Sequence, residues 1–124
     1  LFFTPQMDRL TVIDWQMIMV HKPGWDLAYL LCTNVPVELR RQIYEESCQR
    51  YLEGIRSSGI RFSDRELEKN MMLCLLAMTC FPVVGGANCD LDNTQSKQLF
   101  EVMTERLFSA IEDYNALRFI DRTP

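Results

Sequence analysis

Apolar and polar positions change their period several times along the chain. Leu1 to Thr4 is a short apolar run, Pro5-Gln6-Met7-Asp8 has turn chemistry, and Arg9 to Ile13 is rich in β-branched and aliphatic residues. That order predicts a small β-hairpin. A lone two-stranded hairpin is marginal in water, so this one needs a partner surface, either from the helices that follow or from elsewhere. From Pro23 onward the period becomes helical. Asp26 to Leu31 reads as a compact, deeply buried helix with an acid in its first turn, where the helix dipole favours negative charge. Pro36 and Gly59 bracket a second helix, in which Ile43, Tyr44, Cys48, Tyr51, Leu52 and Ile55 recur at three and four residue intervals. Its other face, with Arg40, Arg41, Glu45, Glu46, Arg50 and Glu53, reads as solvated.

The third helix has the clearest start. Ser63 with Glu66 forms a capping box, and Phe62 is placed to pack on Leu67 as a hydrophobic staple. It runs through Leu67, Met71, Cys74, Leu75 and Met78, and Pro82 with Gly85-Gly86 is expected to end it. A polar loop, Ala87 to Asn93, follows. The last helix carries Leu99, Phe100, Met103, Leu107, Ala110, Ile111, Tyr114 and Leu117 on one stripe. The expectation is a mainly α fold of about four principal helices with a short N-terminal β-hairpin. It is organised as one domain over 1–124, with the hairpin in 1–14 and the helices in 23–120.

Composition narrows the function classes. The net charge is −4, the 13 basic residues are scattered among 17 acidic ones, and Arg40-Arg41 is the one adjacent basic pair. Nucleic acid is not expected as a partner, because phosphate neutralisation needs clustered basic charge. Five cysteines, an odd count without a Cys-x-x-Cys pair, and a single histidine argue for reduced thiols and against a disulfide framework or a zinc site. The longest apolar stretch, Met71 to Gly86, is interrupted by Thr79 and Pro82 and is shorter than the roughly 20 residues that cross a bilayer. The opening Leu1-Phe2-Phe3 lacks a basic leader and a small-residue cleavage site. A cytoplasmic protein without membrane partners is the expectation.

The segment richest in chemical possibility is Leu10-Thr11-Val12-Ile13-Asp14-Trp15-Gln16, an aliphatic strand that runs into a carboxylate with no adjacent lysine or arginine. By itself Asp14 has two readings. One is a solvated turn acid or helix cap. The other is a ligand for a hard cation, since oxygen donors suit Mg²⁺ and in phosphoryl transfer an aspartate holds the metal against the nucleotide phosphates.

Val12-Ile13-Asp14-Trp15-Gln16, followed by Pro23-Gly24-Trp25-Asp26-Leu27-Ala28-Tyr29-Leu30-Leu31, resembles the aminoglycoside phosphotransferase and choline kinase-like superfamily. The branches it resembles most are the ecdysteroid-kinase-like proteins and the bacterial aminoglycoside phosphotransferase relatives. That superfamily has a strand ending in Ile-Asp-Trp or Ile-Asp-Phe and, about a dozen residues later, an Asp-Leu-Ala helix. The resemblance implies the distal part of a protein-kinase-like C-terminal lobe. It also implies transfer of the γ-phosphoryl of ATP to a hydroxyl on a small molecule. Asp14 would be the ligand of nucleotide-bound Mg²⁺, and Phe2 and Ile13 would line the nucleotide pocket. Asp26 would anchor the catalytic loop, and acceptor contacts would lie in the cleft between the hairpin side and the last two helices.

The departures from that family are equally definite. The sequence contains no His-Gly-Asp catalytic loop, no glycine-rich phosphate loop and no strand lysine with a helix glutamate to pair with it. The base aspartate and the second metal-ligand asparagine are expected upstream of Leu1, in the remainder of a kinase-like chain with its N-lobe, and this segment alone is expected to be inactive. The rival expectation is a noncatalytic helical protein-interaction module in which Asp14 and Asp26 are caps. His21 reads as a loop histidine. Met71, Met72 and Met78 read as core fillers, Trp15, Trp25 and Tyr29 as core aromatics, and Gly85-Gly86 as a turn after Pro82.

Overall fold

The computed structural model describes residues 2–13, 20–88 and 93–120, with the backbone alone for residues 2 and 3. The expected hairpin is present. Strand β1 (Phe2–Phe3) pairs antiparallel with β2 (Leu10–Thr11) in the register Phe2 with Thr11 and Phe3 with Leu10. Its turn is tied by the Met7 amide donating to the Thr4 carbonyl at 2.8 Å, with Met7 in the left-handed region at φ +59°. Leu10, Val12 and Ile13 remain exposed, so among the described residues the helices do not bury this arm of the hairpin.

Helix α1 (Trp25–Tyr29) passes directly into a π-helical turn, Leu30–Asn34. Ala28, Leu31 and Cys32 are buried, but Tyr29 and Leu30 are exposed, so only one face of the segment is deeply buried. Helix α2 (Val37–Ser57) begins after Pro36 and closes on Gly59, whose φ of +79° supplies the left-handed residue that often ends a helix. Helix α3 (Asp64–Met78) carries the complete capping box. Glu66 N–H donates to Ser63 Oγ at 3.2 Å and Ser63 N–H donates to Glu66 Oε2 at 2.8 Å. Phe62 packs against the core just ahead of it.

Two expectations about the following segment are corrected. Pro82 and Gly85-Gly86 do not end the helical run, because after a break at Thr79 they lie within a further helix, α4 (Cys80–Asn88). Pro82 is tolerated as the third residue of α4, where an amide would lack an intrahelical acceptor anyway. The glycines are packing positions. A Cβ on Gly85 would stand 3.0 Å from Phe100 Cε2, so the bare backbone lets α4 approach the next helix. That helix, α5 (Thr94–Asp113), starts earlier than its apolar stripe suggests because Asn93 Oδ1 accepts from the amides of Gln95 and Ser96, each at 3.1 Å. It stops at Tyr114, and Asn115 in the left-handed region turns the chain into a 3₁₀ turn, Ala116–Phe119. Leu99 and Leu117, placed on the buried stripe by spacing, are exposed.

The core lies between α1, α2, α3 and α5. Met71, Met72 and Met78 fill it as expected, beside Leu31, Leu52, Leu67, Leu75, Leu107 and Ala110. Among the described residues one helical stretch, Asp64–Asn88, is long and apolar enough to cross a membrane by length and composition. Its first half is α3, whose apolar face is the centre of this core.

Arg40 is the largest departure. Its spacing on α2 assigned it to the solvated face, yet it is fully buried. Its guanidinium donates to the Arg106 carbonyl at 2.9 Å, to Ser109 Oγ at 3.0 Å and to the Asp113 carboxylate, and it lies 5.6 Å from the centre of the Tyr114 ring. Helix α5 therefore supplies the acceptors that make a buried cation tolerable. Arg41 donates twice to the same carboxylate, at 2.9 Å each, from an exposed position. These two arginines, Arg41 first, hold the Asp113 carboxyl below its ordinary range. The remaining charges of that face, Arg41, Glu45, Glu46, Arg50 and Glu53, are exposed as expected.

Candidate functional site

The candidate site is the hairpin end together with the turn that opens α1. Phe2 stands in β1, paired with Thr11. Ile13, expected to line a nucleotide pocket, is 51% exposed just beyond β2. Asp14, the expected metal ligand, and Trp15 lie outside the described residues. Asp26 lies in the first turn of α1 and is exposed. Among the described residues no hydrogen bond or ion pair holds its carboxylate, so the backbone of α1 decides where that group stands.

That backbone is tightly held. Gly24 precedes α1 in the left-handed region at φ +103°, buried against α3. A Cβ there would come within 3.0 Å of both Leu67 Cδ1 and Met71 Cγ, so glycine is required by conformation and by space. The Gly24 amide donates to Tyr51 Oη of α2 at 3.0 Å, and Asn70 Nδ2 of α3 donates to the Pro23 carbonyl at 3.1 Å. The Gly24 carbonyl in turn accepts from the Ala28 amide at 2.9 Å, which joins the turn to the first turn of α1. No side chain caps this helix. Sequence reading did not single out Tyr51 or Asn70 for this role. The Pro23-Gly24 pair signals a turn, but partners 27 and 47 positions away leave no local mark.

Of the aromatics beside this turn, Trp25 packs against the core as expected, whereas Tyr29 is more open than expected. His21 lies 4.5 Å from the Trp25 ring in a tilted contact and is exposed. Tyr29 meets Phe81 of α4 edge to face, with ring centres 6.3 Å apart, and both are exposed rather than core.

A cleft of about 620 Å³ opens elsewhere, between α2, α3 and the chain after α5. It is not the expected cleft between the hairpin side and the last two helices. Its walls include Tyr44, Cys48, Leu67, Met71 and Tyr114, with Tyr44 and Tyr114 stacked at 4.0 Å. Burial pushes the Cys48 thiol up to about 11, and it has the same effect on Cys32, to about 12, and Cys74, to about 11. Thiols held that far above neutrality are protonated and unreactive, so none of these three is an activated nucleophile.

No curated protein and no solved structure matches the chain. A family model does match, over residues 4–119, so it spans the hairpin turn, β2, the turn at Gly24 and all the described helices. Its description reads uncharacterized oxidoreductase dhs-27, and the family is related to the ecdysteroid-kinase-like group. The chain belongs to this family, DUF1679.

Proposed function

We propose that the chain is the helical, substrate-side part of a kinase-like phosphotransferase that moves the γ-phosphoryl of ATP to a hydroxyl of a small molecule. The observation that carries this reading is the pairing of motifs. Ile13-Asp14-Trp15 follows β2 in the sequence, and twelve positions after Asp14 comes Asp26-Leu27-Ala28 at the start of α1, in a family related to ecdysteroid-kinase-like proteins. Two features of the fold support it. Leu10, Val12 and Ile13 on the second arm of the hairpin are exposed, as expected of a hairpin that completes a larger lobe. The Asp26 carboxylate has no partner among the described residues and is free to accept hydrogen bonds from a catalytic loop.

Asp14 would hold Mg²⁺, for which a carboxylate is suitable chemistry, and the exposure of Ile13 beside it fits a strand end that meets a ligand. When bound, the metal would neutralise charge on the nucleotide phosphates. Phe2 and Ile13 would line the nucleotide side, and Asp26 would fix the loop that orients the acceptor hydroxyl. The catalytic loop and N-lobe would come from the remainder of the kinase-like chain, and the segment on its own would be inactive.

The word oxidoreductase in the family description suggests a second reading, nucleotide-dependent redox chemistry. The helical body does not favour it. A dinucleotide site is built on a parallel sheet with a glycine-rich turn at a helix N-terminus. Here Gly85-Gly86 lies inside α4, and the space over both glycines is closed by Phe100.

The deciding experiment is ATP turnover by the full-length protein with Mg²⁺, against a panel of aminoglycosides, choline, sugars and steroid alcohols. Asp14→Asn should abolish turnover and leave thermal stability nearly unchanged, because it removes charge and keeps shape. Wild-type turnover in that variant would sink the assignment.

A further inference from the structure

We propose that Tyr51 and Asn70 are positioning residues for phosphoryl transfer, which clamp the Pro23-Gly24 turn and so set the place of the Asp26 carboxylate. The inference rests on the phosphotransferase reading of Asp26. Three observations carry it. Helix α1 and the π-helical turn it passes into together span only residues 25–34 and start without a capping side chain, so the run is too short to hold its own first turn against fraying. The two long-range hydrogen bonds into its leading turn come from different helices, α2 and α3, and meet at adjacent residues. Gly24 lies against Leu67 and Met71 with no room for a Cβ, so the turn is pressed onto the core while Tyr51 and Asn70 fix its rotation.

The consequence follows from the free carboxylate. Asp26 has no side-chain partner among the described residues, and its position therefore tracks the α1 backbone. If either clamp is lost, the turn can rotate and carry the carboxylate away from the loop it would anchor. Positional errors of about 1 Å in groups that orient reactants can lower rates on the order of a hundredfold. Tyr51 and Asn70 touch neither nucleotide nor acceptor in this scheme, so the effect belongs to the rate of the bound complex and not to nucleotide affinity.

The test uses the full-length protein and Mg²⁺-ATP, with Tyr51→Phe, Asn70→Ala and the double variant, and thermal melting run alongside. Each single variant should lower kcat on the order of tenfold with KM for ATP within about twofold, at a temperature where all variants remain folded. The double variant should lose little more than the worse single, because both bonds hold one turn. Arg56→Ala, which breaks the Arg56–Asp64 pair on the surface, should match wild-type kcat and so control for general loosening of α2 and α3. Wild-type kcat in both single variants, with turnover present in the wild type, overturns the clamp and leaves the phosphotransferase reading standing. No turnover in the wild type against any acceptor overturns that reading, and the clamp's role with it.

Discussion

The helical body and the amino-terminal hairpin treat their apolar side chains in opposite ways. In the body, Met71, Met78, Leu75 and Ala110 are withdrawn from water completely, and even a cation, Arg40, is enclosed and supplied with acceptors. In the hairpin, Leu10 and Ile13 are each 51% exposed and the strands are two residues long. The body closes a core from its own helices, whereas the hairpin leaves its aliphatic residues about half exposed. A segment built that way contributes little to the stability of the body beside it. Its aliphatic surface is suited to joining another part of a larger fold, which is where the proposed nucleotide side would be.

The contrast can be broken at Asp113. Asp113→Ala leaves the buried Arg40 guanidinium without its carboxylate but with the Arg106 and Ser109 acceptors, so the cost should fall between the about 1 kcal/mol of an exposed pair and the about 3–5 kcal/mol of a fully buried one. Urea denaturation followed by circular dichroism measures it. A loss below about 1 kcal/mol, the size expected of an exposed pair, would show that Arg40 is solvated and that the body is looser than described.

Of similar size is the direct comparison of the two regions. Leu75→Ala in α3 should cost about 2–5 kcal/mol, because it opens a cavity in a closed core. Leu10→Ala in β2 should change stability by less than about 0.5 kcal/mol. Equal costs at the two sites would erase the distinction.

The smallest expected effect is on pH dependence. Arg41 and Arg40 lower the native pKa of Asp113 from the ordinary value of 3.8. A carboxyl lowered in the native state contributes stability that is full well above 3.8 and is lost as pH falls below it through the native value. Thermal melts should therefore show a drop on acidification through that window. The drop should be shallower in Asp113→Asn, and an unchanged slope in that variant would remove Asp113 from the acid response.

Local chemistry in the sequence decided much of the fold. The Ser63 and Glu66 capping box, the Gly59 stop and the hairpin turn at Pro5 to Asp8 act within a few residues, so reading the chain was enough to place them. Helical periodicity placed the methionines in the core for the same reason. The candidate site was legible only as motifs, Asp14 and Asp26, and not as the contacts that hold the turn before Asp26. Only the tertiary structure decided that Arg40 is buried and that Gly85 is a packing position against Phe100. It alone joined Tyr51 and Asn70 at the turn before Asp26. In each case the deciding partner lies far away in sequence, from 15 positions for Gly85 and Phe100 to 73 for Arg40 and Asp113. The energy of those contacts depends on how helices pack, and the period of a single helix carries no record of what its neighbour will bring.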